Sequence, residues 1–217
     1  TPRETRVAVV ENGVLQEILI ERAGKRGLVG NIYKGQVCRV LPGMEAAFVD
    51  IGLERAAFLH VSDIRPECLL DKGPPDIAAT ATGSDRTLAI TDLVREGQNL
   101  VVQVIKDPIG TKGARLTTHI TLPSRFLVFL ADSDVAGVSV KIDGERERQR
   151  LKEMVNAFRT EFGGGYIVRT AAEGAEAWAL RADMQFLQRL WSSIQDRIRE
   201  TSGMIALYED LPLVLRV

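Results

Sequence analysis

The amino-terminal part of the chain consists of short runs in which apolar residues dominate, a pattern typical of β-strands. Two such runs, at 6–10 and 14–20, flank Asn12 and Gly13. An Asn-Gly pair favours a tight hairpin turn because both residues tolerate a positive φ angle. The pattern therefore predicts a β-hairpin, followed by a charged, glycine-containing link at 22–30.

The next part of the chain contains several further short apolar runs, separated by glycine and proline. These runs lie at 33–40, 45–50, 56–60, 100–106 and 114–118. Short strands at this density, with turn residues between them, predict a small β-barrel. Between the third and fourth runs, 71–89 is rich in Gly, Pro, Ala, Ser and Thr without periodicity. We expect that stretch to form a long, mobile surface loop.

The pattern changes to mixed helix and strand after residue 120. Strands are predicted at 125–130 and 166–170, and a helix at 145–162, where apolar residues recur at helical spacing before three glycines. A second helix at 175–201 has apolar residues in alternating steps of four and three: Leu180, Met184, Leu187, Trp191, Ile194 and Ile198. This stripe is expected to pack on the chain's own sheet, and the alternative is a seam with another subunit.

Composition limits the class of protein. The chain has 217 residues, of which 45% are hydrophobic and 26% charged, as in ordinary globular proteins with one large or two small domains. No apolar run approaches the roughly 18 residues that a membrane span needs, and the first residues lack a signal core, so a cytoplasmic protein is expected. A net charge of −1 does not indicate a nucleic-acid binder. Any RNA binding must come from local placement of basic and aromatic side chains.

Few residues suggest catalytic or metal chemistry. Cys38 and Cys68 are too few for a disulfide framework and lack zinc-type spacing, so both are expected to be reduced and structural. His60 and His119 have no partner arrangement typical of a metal site or a catalytic triad. Asp50 is expected to shape the turn before Gly52.

A set of segments, taken in order, resembles the S1-type RNA-binding barrel, a five-stranded OB fold. The segments are 35–40, 47–52, 57–64 and 101–106. In such a barrel, exposed aromatic rings stack on bases while basic side chains meet phosphates. The resemblance implies that Phe48 and Phe58 are the stacking residues and that Lys34, Lys106 and Lys112 supply charge. The competing interpretation is that the rings belong to the core and the lysines to the solvated surface.

The flanks of these segments extend the resemblance to a family. Segments 31–35, 49–52, 112–118 and 167–174 are similar to the bacterial ribonuclease E/G family, more to its G branch. The resemblance covers nearly the whole chain. It implies an α+β fold with an S1-type OB barrel at 31–119, a mixed α/β 5′-sensor domain at 120–203, and pieces of an RNase-H-like subdomain at 1–30 and 204–217.

The 5′ sensor of that family is a pocket for the terminal monophosphate of an RNA. Arg169 and Thr170 match its phosphate-binding residues, and Val128 matches a position whose backbone amide contributes. Ser124 lies where a lining residue is expected, although a family member has Gly there. A guanidinium fork and a hydroxyl suit phosphate oxygens. Neighbouring residues on a regular strand face opposite ways, so we expect the strand to end at this point.

The resemblance also implies what the whole enzyme does. It would be a magnesium-dependent, single-strand-specific endoribonuclease and a homo-oligomer, acting in rRNA and tRNA processing and mRNA decay through a later DNase-I-like domain. This chain is expected to have no catalytic residue, metal or cofactor of its own, and to bind single-stranded RNA, preferably 5′-monophosphorylated, without cutting it. The alternatives are a free-standing RNA-binding protein and an assembly module that uses the helix at 175–201. The apolar run 211–217 predicts that further sequence would cover it.

Overall fold

A computed structural model of the chain describes residues 3–11, 13–23, 26–65, 88–211 and 213. Cys68, nearly all of the predicted loop at 71–89 and most of the run 211–217 lie outside the described residues. The chain divides into two compact units. The first comprises Thr1–Leu28, Thr121–Arg189 and Asp210–Val217, and the second comprises Val29–Ile120 and Leu190–Glu209.

The predicted hairpin is confirmed. Strand β1 (Glu4–Glu11) pairs antiparallel with β2 (Val14–Arg22), and the register shifts between Val9 and Val10. Gly13 has a φ of +78°, the left-handed conformation that a tight turn requires.

Five strands of the second unit close into a barrel. They are β3 (Ile32–Leu41), β4 (Ala46–Asp50), β5 (Ala57–His60), β6 (Asn99–Lys106) and β7 (Arg115–Thr117), and a short helix, α1 (Ile90–Leu93), lies between β5 and β6. Neighbouring strands pair in the order β3-β4-β5-β7-β6, and β6 pairs back to β3. All of these pairs are antiparallel except β5 with β7. The predicted OB-like barrel is confirmed at this level.

Period-two alternation divides the barrel residues between the interior and the outer face. Val49 and Leu59 are fully buried, whereas their neighbours Phe48 and Phe58 are half-buried. Strands β5 and β7 approach closely at Gly113, where a Cβ atom would lie 2.0 Å from the carbonyl oxygen of Ala56. Only glycine fits at that point without a shift of the backbone.

The barrel sheet gains a further strand from distant sequence. β12 (Ile205–Tyr208) pairs antiparallel with Ile32, Tyr33 and Lys34 at the start of β3. The family resemblance predicts an RNase-H-like piece from residue 204 onward, and that assignment stays a prediction; the structure shows that β12, which lies in this range, is hydrogen-bonded to the barrel.

The first unit contains a four-stranded sheet with helices. Its strands are β8 (Thr121–Pro123), β9 (Leu127–Leu130), β10 (Ala136–Val138) and β11 (Gly165–Val168), in the order β10-β11-β9-β8. Only β10 and β11 are parallel. Helix α2 (Glu145–Phe162) has the predicted limits, and its Leu151 and Val155 are buried.

The long helix α3 (Ala177–Glu200) confirms the second predicted helix within two residues at each end. Leu180, Met184, Leu187 and Ile194 of its apolar stripe are at most 2% exposed within the single chain. The stripe therefore packs inside the chain, as the first of the two interpretations predicts.

Candidate nucleic-acid interface

The outer face of the barrel has a row of aromatic and basic residues in strand register. Phe48 on β4 is paired with Phe58 on β5, and their ring centroids lie 6.1 Å apart at 70°. Arg39 is paired with Phe48 on the other side, and Arg115 with Phe58. Lys106 on β6 continues the row beyond Arg115. Paired residues share one face of a sheet, so two π surfaces lie between positive charges.

The sequence pattern identified only part of this row. Arg39 and Arg115 belong to it through strand register, which no local pattern gives. Arg115 forms an ion pair with Asp63 at 2.9 Å, whereas Arg39 and Lys106 are exposed. Lys112 is also exposed, in the turn that Ile109 and Lys112 close by two backbone hydrogen bonds.

Lys34 lies apart from the row. Its ammonium group donates to the carbonyl oxygens of Thr201 at 2.6 Å and Ile198 at 3.3 Å, at the carboxyl end of α3. A cation there meets the carbonyls that a helix leaves without partners. The structure thus gives Lys34 a helix-capping contact and does not bring it together with Phe48 and Phe58.

The other polar residues singled out in the barrel have structural contacts. Asp50 accepts a hydrogen bond from the Gly52 N–H at 2.9 Å, as its predicted turn role requires. His60 accepts from the Ser62 N–H, and its ring lies 6.4 Å from that of Phe58. Cys38 is exposed and not in a disulfide, and its thiol donates to the carbonyl of Phe48.

The predicted strand ending in the first unit is confirmed. β11 ends at Val168, and Thr170–Ala172 form one turn of 3-10 helix. The Arg169 N–H donates to the carbonyl of Phe126 at 2.8 Å, and its guanidinium group donates to the carbonyl of Ser124. Arg169 and Thr170 are both exposed. The arginine is therefore held against the turn between β8 and β9 and faces solvent.

A carboxylate from α3 fixes that turn. One oxygen of Asp183 accepts from the Ser124 hydroxyl at 2.6 Å, the Phe126 N–H at 2.9 Å and the Leu127 N–H at 3.1 Å. The Ser124 hydroxyl is thereby engaged within the protein. Three charge-assisted hydrogen bonds on one oxygen make a rigid support for the carbonyl that holds Arg169.

Val128 lies on the central strand of three. It is paired with Pro123 of β8 and Ile167 of β11. Along an antiparallel pair of strands, every second pair of opposite residues is hydrogen-bonded. The Arg169 N–H bonds to the Phe126 carbonyl, so the next hydrogen-bonded pair of β11 and β9 is Ile167 with Val128. The Val128 amide is therefore directed at Ile167, and its side chain shares the open face of the sheet with Ile167, which is 38% exposed.

An ion pair at the start of α2 holds the loop after Thr170. The carboxylate of Glu147 accepts from Arg150 and from the Gly174 N–H at 2.9 Å, and Arg150 also donates to the carbonyl of Ala175 at 3.1 Å. These hydrogen bonds, the Arg150 contact foremost, lower the pKa of Glu147 to about 2. The loop is thus tied to the helix by an ionised carboxylate.

That loop, the β8–β9 turn and the first turns of α3 line an open, shallow cleft of about 650 Å³. The residues that line it include Arg125, Phe126, Ala171 and Trp178. Trp178 is 73% exposed, and Arg125 lies 4.9 Å above the Phe126 ring. Arg169 and Thr170 immediately precede the cleft in the chain and do not line it.

Two kinds of site are not found in the part of the chain that the structure describes. No group of three or more His, Cys, Asp or Glu side chains there is arranged to hold a metal ion. Among the same residues, no helix combines the length and the apolar character needed to cross a lipid bilayer.

Comparisons with known proteins identify relatives of this chain. A family model described as "Ribonuclease E/G family" matches residues 121–217. Ribonuclease G of Escherichia coli and that of Haemophilus influenzae are each 52% identical over 219 aligned positions, covering 100% of this chain and 43% of the relative. Ribonuclease E of a Nostoc species is 37% identical over 97% of this chain and 28% of its own length.

The chain thus spans less than half the length of the ribonuclease G relatives that it matches. The match extends over every part of the chain, including the barrel that the family model does not cover. The predicted family is confirmed: the chain belongs to the ribonuclease E/G family and corresponds to an amino-terminal part of its longer members.

Proposed function

We propose that this chain is the RNA-binding and 5′-end-sensing part of a single-strand-specific endoribonuclease. The observation that carries the proposal is the registered row on the barrel, in which Phe48 and Phe58 lie between Arg39 and Lys106. We place the whole enzyme in the cytoplasm, as a homo-oligomer that processes rRNA and tRNA and degrades mRNA.

The barrel row suits a single strand of RNA. Base stacking on an aromatic ring is independent of sequence and contributes about 1–3 kcal/mol per base. Arg39, Lys106 and Lys112 are exposed and can reach phosphates on either side of the rings. Arg115 is partly neutralised by Asp63. Three available cations predict modest, salt-dependent affinity, with a slope of about −2 in a plot of log K against log salt concentration.

The strand-end site suits a terminal phosphate. The guanidinium group of Arg169 is fixed on one side by the Ser124 carbonyl and remains exposed on the other. A preoriented fork loses less rotamer entropy when it binds two phosphate oxygens. Thr170 adds a hydroxyl next to it, and the side chains of Val128 and Ile167 provide apolar surface on the same face. We therefore assign the 5′-monophosphate to Arg169 and Thr170, without the Val128 amide or the Ser124 hydroxyl.

Cleavage by the whole enzyme would involve a metal ion. The family resemblance implies magnesium, which would be held by carboxylates and would activate water. The described residues do not fit that ion, since they offer no suitable group of three ligands. We propose that catalysis belongs to the DNase-I-like domain that the family resemblance places later in the enzyme.

Anisotropy of a short 3′-labelled RNA with a 5′-hydroxyl end tests the barrel proposal. Replacing Phe48 or Phe58 by Leu removes the π face but keeps apolar volume, so affinity should fall about fivefold for each. Phe186→Leu is the matched control, because Phe186 is 44% exposed on α3, outside the row. Unchanged RNA affinity in both barrel variants would refute the stacking proposal.

Comparing 5′-monophosphate with 5′-hydroxyl RNA tests the sensor proposal. The chain should bind the phosphorylated RNA more tightly, and Arg169→Ala should abolish that difference without weakening binding of the hydroxyl form. Arg146→Ala, an exposed arginine in the first turn of α2, is the control for loss of one charge. A preference that survives in Arg169→Ala, or that is absent from the parent chain, refutes the assignment.

A further inference from the structure

We infer that the cleft beside Arg169 binds the base of the 5′-terminal nucleotide, stacked on Trp178, with a preference for guanine. The inference rests on the proposed function, since it adds a base subsite to the proposed phosphate site. Its basis is that an exposed tryptophan, a second aromatic residue and carboxylates line one open cleft.

The cleft has the shape and lining of a base site. Trp178 is 73% exposed on the first turn of α3, although a large apolar ring gains by burial. Phe126 forms another wall, covered by Arg125 at 4.9 Å. Flat π surfaces and a guanidinium plane are the groups on which proteins stack unpaired bases. Ala171, Ala179 and Ala182 keep the space between these walls open.

The charges of the cleft select a neutral ligand with hydrogen-bond donors. Glu173, Glu176 and Asp183 line it together with Arg125. Asp183 already accepts three hydrogen bonds, and Glu176 interacts with Arg150, so much of this negative charge is compensated. A phosphate is disfavoured here, but a base is uncharged. Guanine presents an N–H and an amino group on one edge, which the carboxylate of Glu173, the remaining acid of the lining, can accept together.

The cleft is within reach of the phosphate site. Consecutive Cα atoms are 3.8 Å apart, so Ala171 in the cleft wall lies at most about 7.6 Å from Arg169. The Arg169 N–H is bonded to the carbonyl of Phe126, which forms the opposite wall. One nucleotide can therefore place its phosphate at Arg169 and its base beside Trp178.

Fluorescence of the 217-residue chain reports stacking directly. Trp178 and Trp191 are the only tryptophans, so Trp191→Phe leaves Trp178 as the single emitter. Guanosine 5′-monophosphate should quench this emission, uridine 5′-monophosphate should quench less, and ribose 5-phosphate, which lacks a base, should not quench. Quenching by ribose 5-phosphate equal to that by the nucleotides, or no quenching by either nucleotide, would overturn the inference.

Binding of 5′-monophosphorylated RNA gives the second measurement. Trp178→Ala should lower the affinity for RNA that begins with G about fivefold. It should leave the affinity for RNA with an abasic first position unchanged. Phe186→Ala, a partly exposed aromatic on the same helix outside the cleft, is the matched control. If Trp178→Ala changes the affinity for neither RNA, the base subsite is refuted.

The outcomes separate the two proposals. If Arg169→Ala abolishes the preference for a 5′ phosphate while Trp178→Ala has no effect, the sensor proposal stands and the base subsite fails. If the parent chain shows no 5′-phosphate preference, both fail. Quenching of Trp178 by argininamide or spermidine, but not by the nucleotides, would overturn the base assignment and indicate a basic ligand.

Discussion

The ion pair between Glu147 and Arg150 allows a quantitative prediction about how the loop before α3 is held. Glu147→Gln removes the negative charge but keeps a side-chain carbonyl that can accept from the Gly174 N–H. Arg150 loses its ionic partner and keeps its hydrogen bond to the Ala175 carbonyl. The variant therefore isolates the contribution of charge.

The magnitude follows from the pKa of Glu147, which falls from 4.5 to about 2 in the folded protein. A difference of about 2.5 units is worth at most roughly 3.4 kcal/mol at 1.36 kcal/mol per unit. The Glu147 and Arg150 side chains are 23% and 36% exposed, so solvent screening reduces this to about 1–2 kcal/mol. We expect Glu147→Gln to lower the free energy of unfolding by that amount at pH 7.

The sign of the pH dependence is fixed by the direction of the shift. A carboxylate whose folded pKa is lowered stabilises the protein above its unfolded pKa, and this stability is lost as pH falls through the folded value. The difference between the parent chain and Glu147→Gln should therefore be constant from pH 7 to about pH 5. More than half of it should be gone at about pH 3.

Urea unfolding followed by circular dichroism measures both quantities. Glu145→Gln is the matched control, because Glu145 is in the same first helical turn but its side chain is 89% exposed and 4.0 Å from Arg148. Equal losses in the two variants would mean that only the helix dipole matters. A Glu147→Gln difference that does not shrink on acidification would refute the linkage argument.

Two substitutions in the barrel test other contacts. Gly113→Ala would place a Cβ atom 2.0 Å from the carbonyl oxygen of Ala56, so unfolding free energy should fall by about 1–3 kcal/mol, measured in urea; unchanged stability would contradict that close approach. Lys34→Met removes the cation that caps the Ile198 and Thr201 carbonyls. We expect the free energy of unfolding to fall by about 1 kcal/mol and the RNA affinity to change less than twofold. Unchanged stability with a clear loss of RNA affinity would instead mean that Lys34 binds RNA.

Elements with a strong local signal were predictable from sequence. Helix α2 was predicted with its observed limits because its apolar spacing is regular and three glycines follow Phe162. The hairpin of β1 and β2 was predicted from Asn12 and Gly13. In contrast, the sequence pattern did not predict β8, β10 and β12; these strands have three or four residues each, and pairing with neighbouring strands decides their structure.

Site residues could be predicted from sequence where they belong to a motif. They could not be predicted where only the pairing register of the strands brings them to the site. Phe48 and Phe58 were proposed from the resemblance, and alternation explains why their rings face outward. Arg39 joins them because it is opposite Phe48 across two strands, which requires the pairing to be known. Trp178 belongs to no motif, and the cleft brings its stretch of the chain, 171–183, together with the distant residues Arg125 and Phe126.

The addition of β12 to β3 has a consequence for synthesis on the ribosome. All five barrel strands have been translated once residue 117 is reached, but β12 follows about 90 residues later. At roughly 5–20 residues per second, the interval lasts about 5–20 s. During this interval, the backbone groups of β3 that later pair with β12 have no strand beside them. A nascent chain arrested at this stage would therefore be prone to pair with another nascent chain on the same polysome.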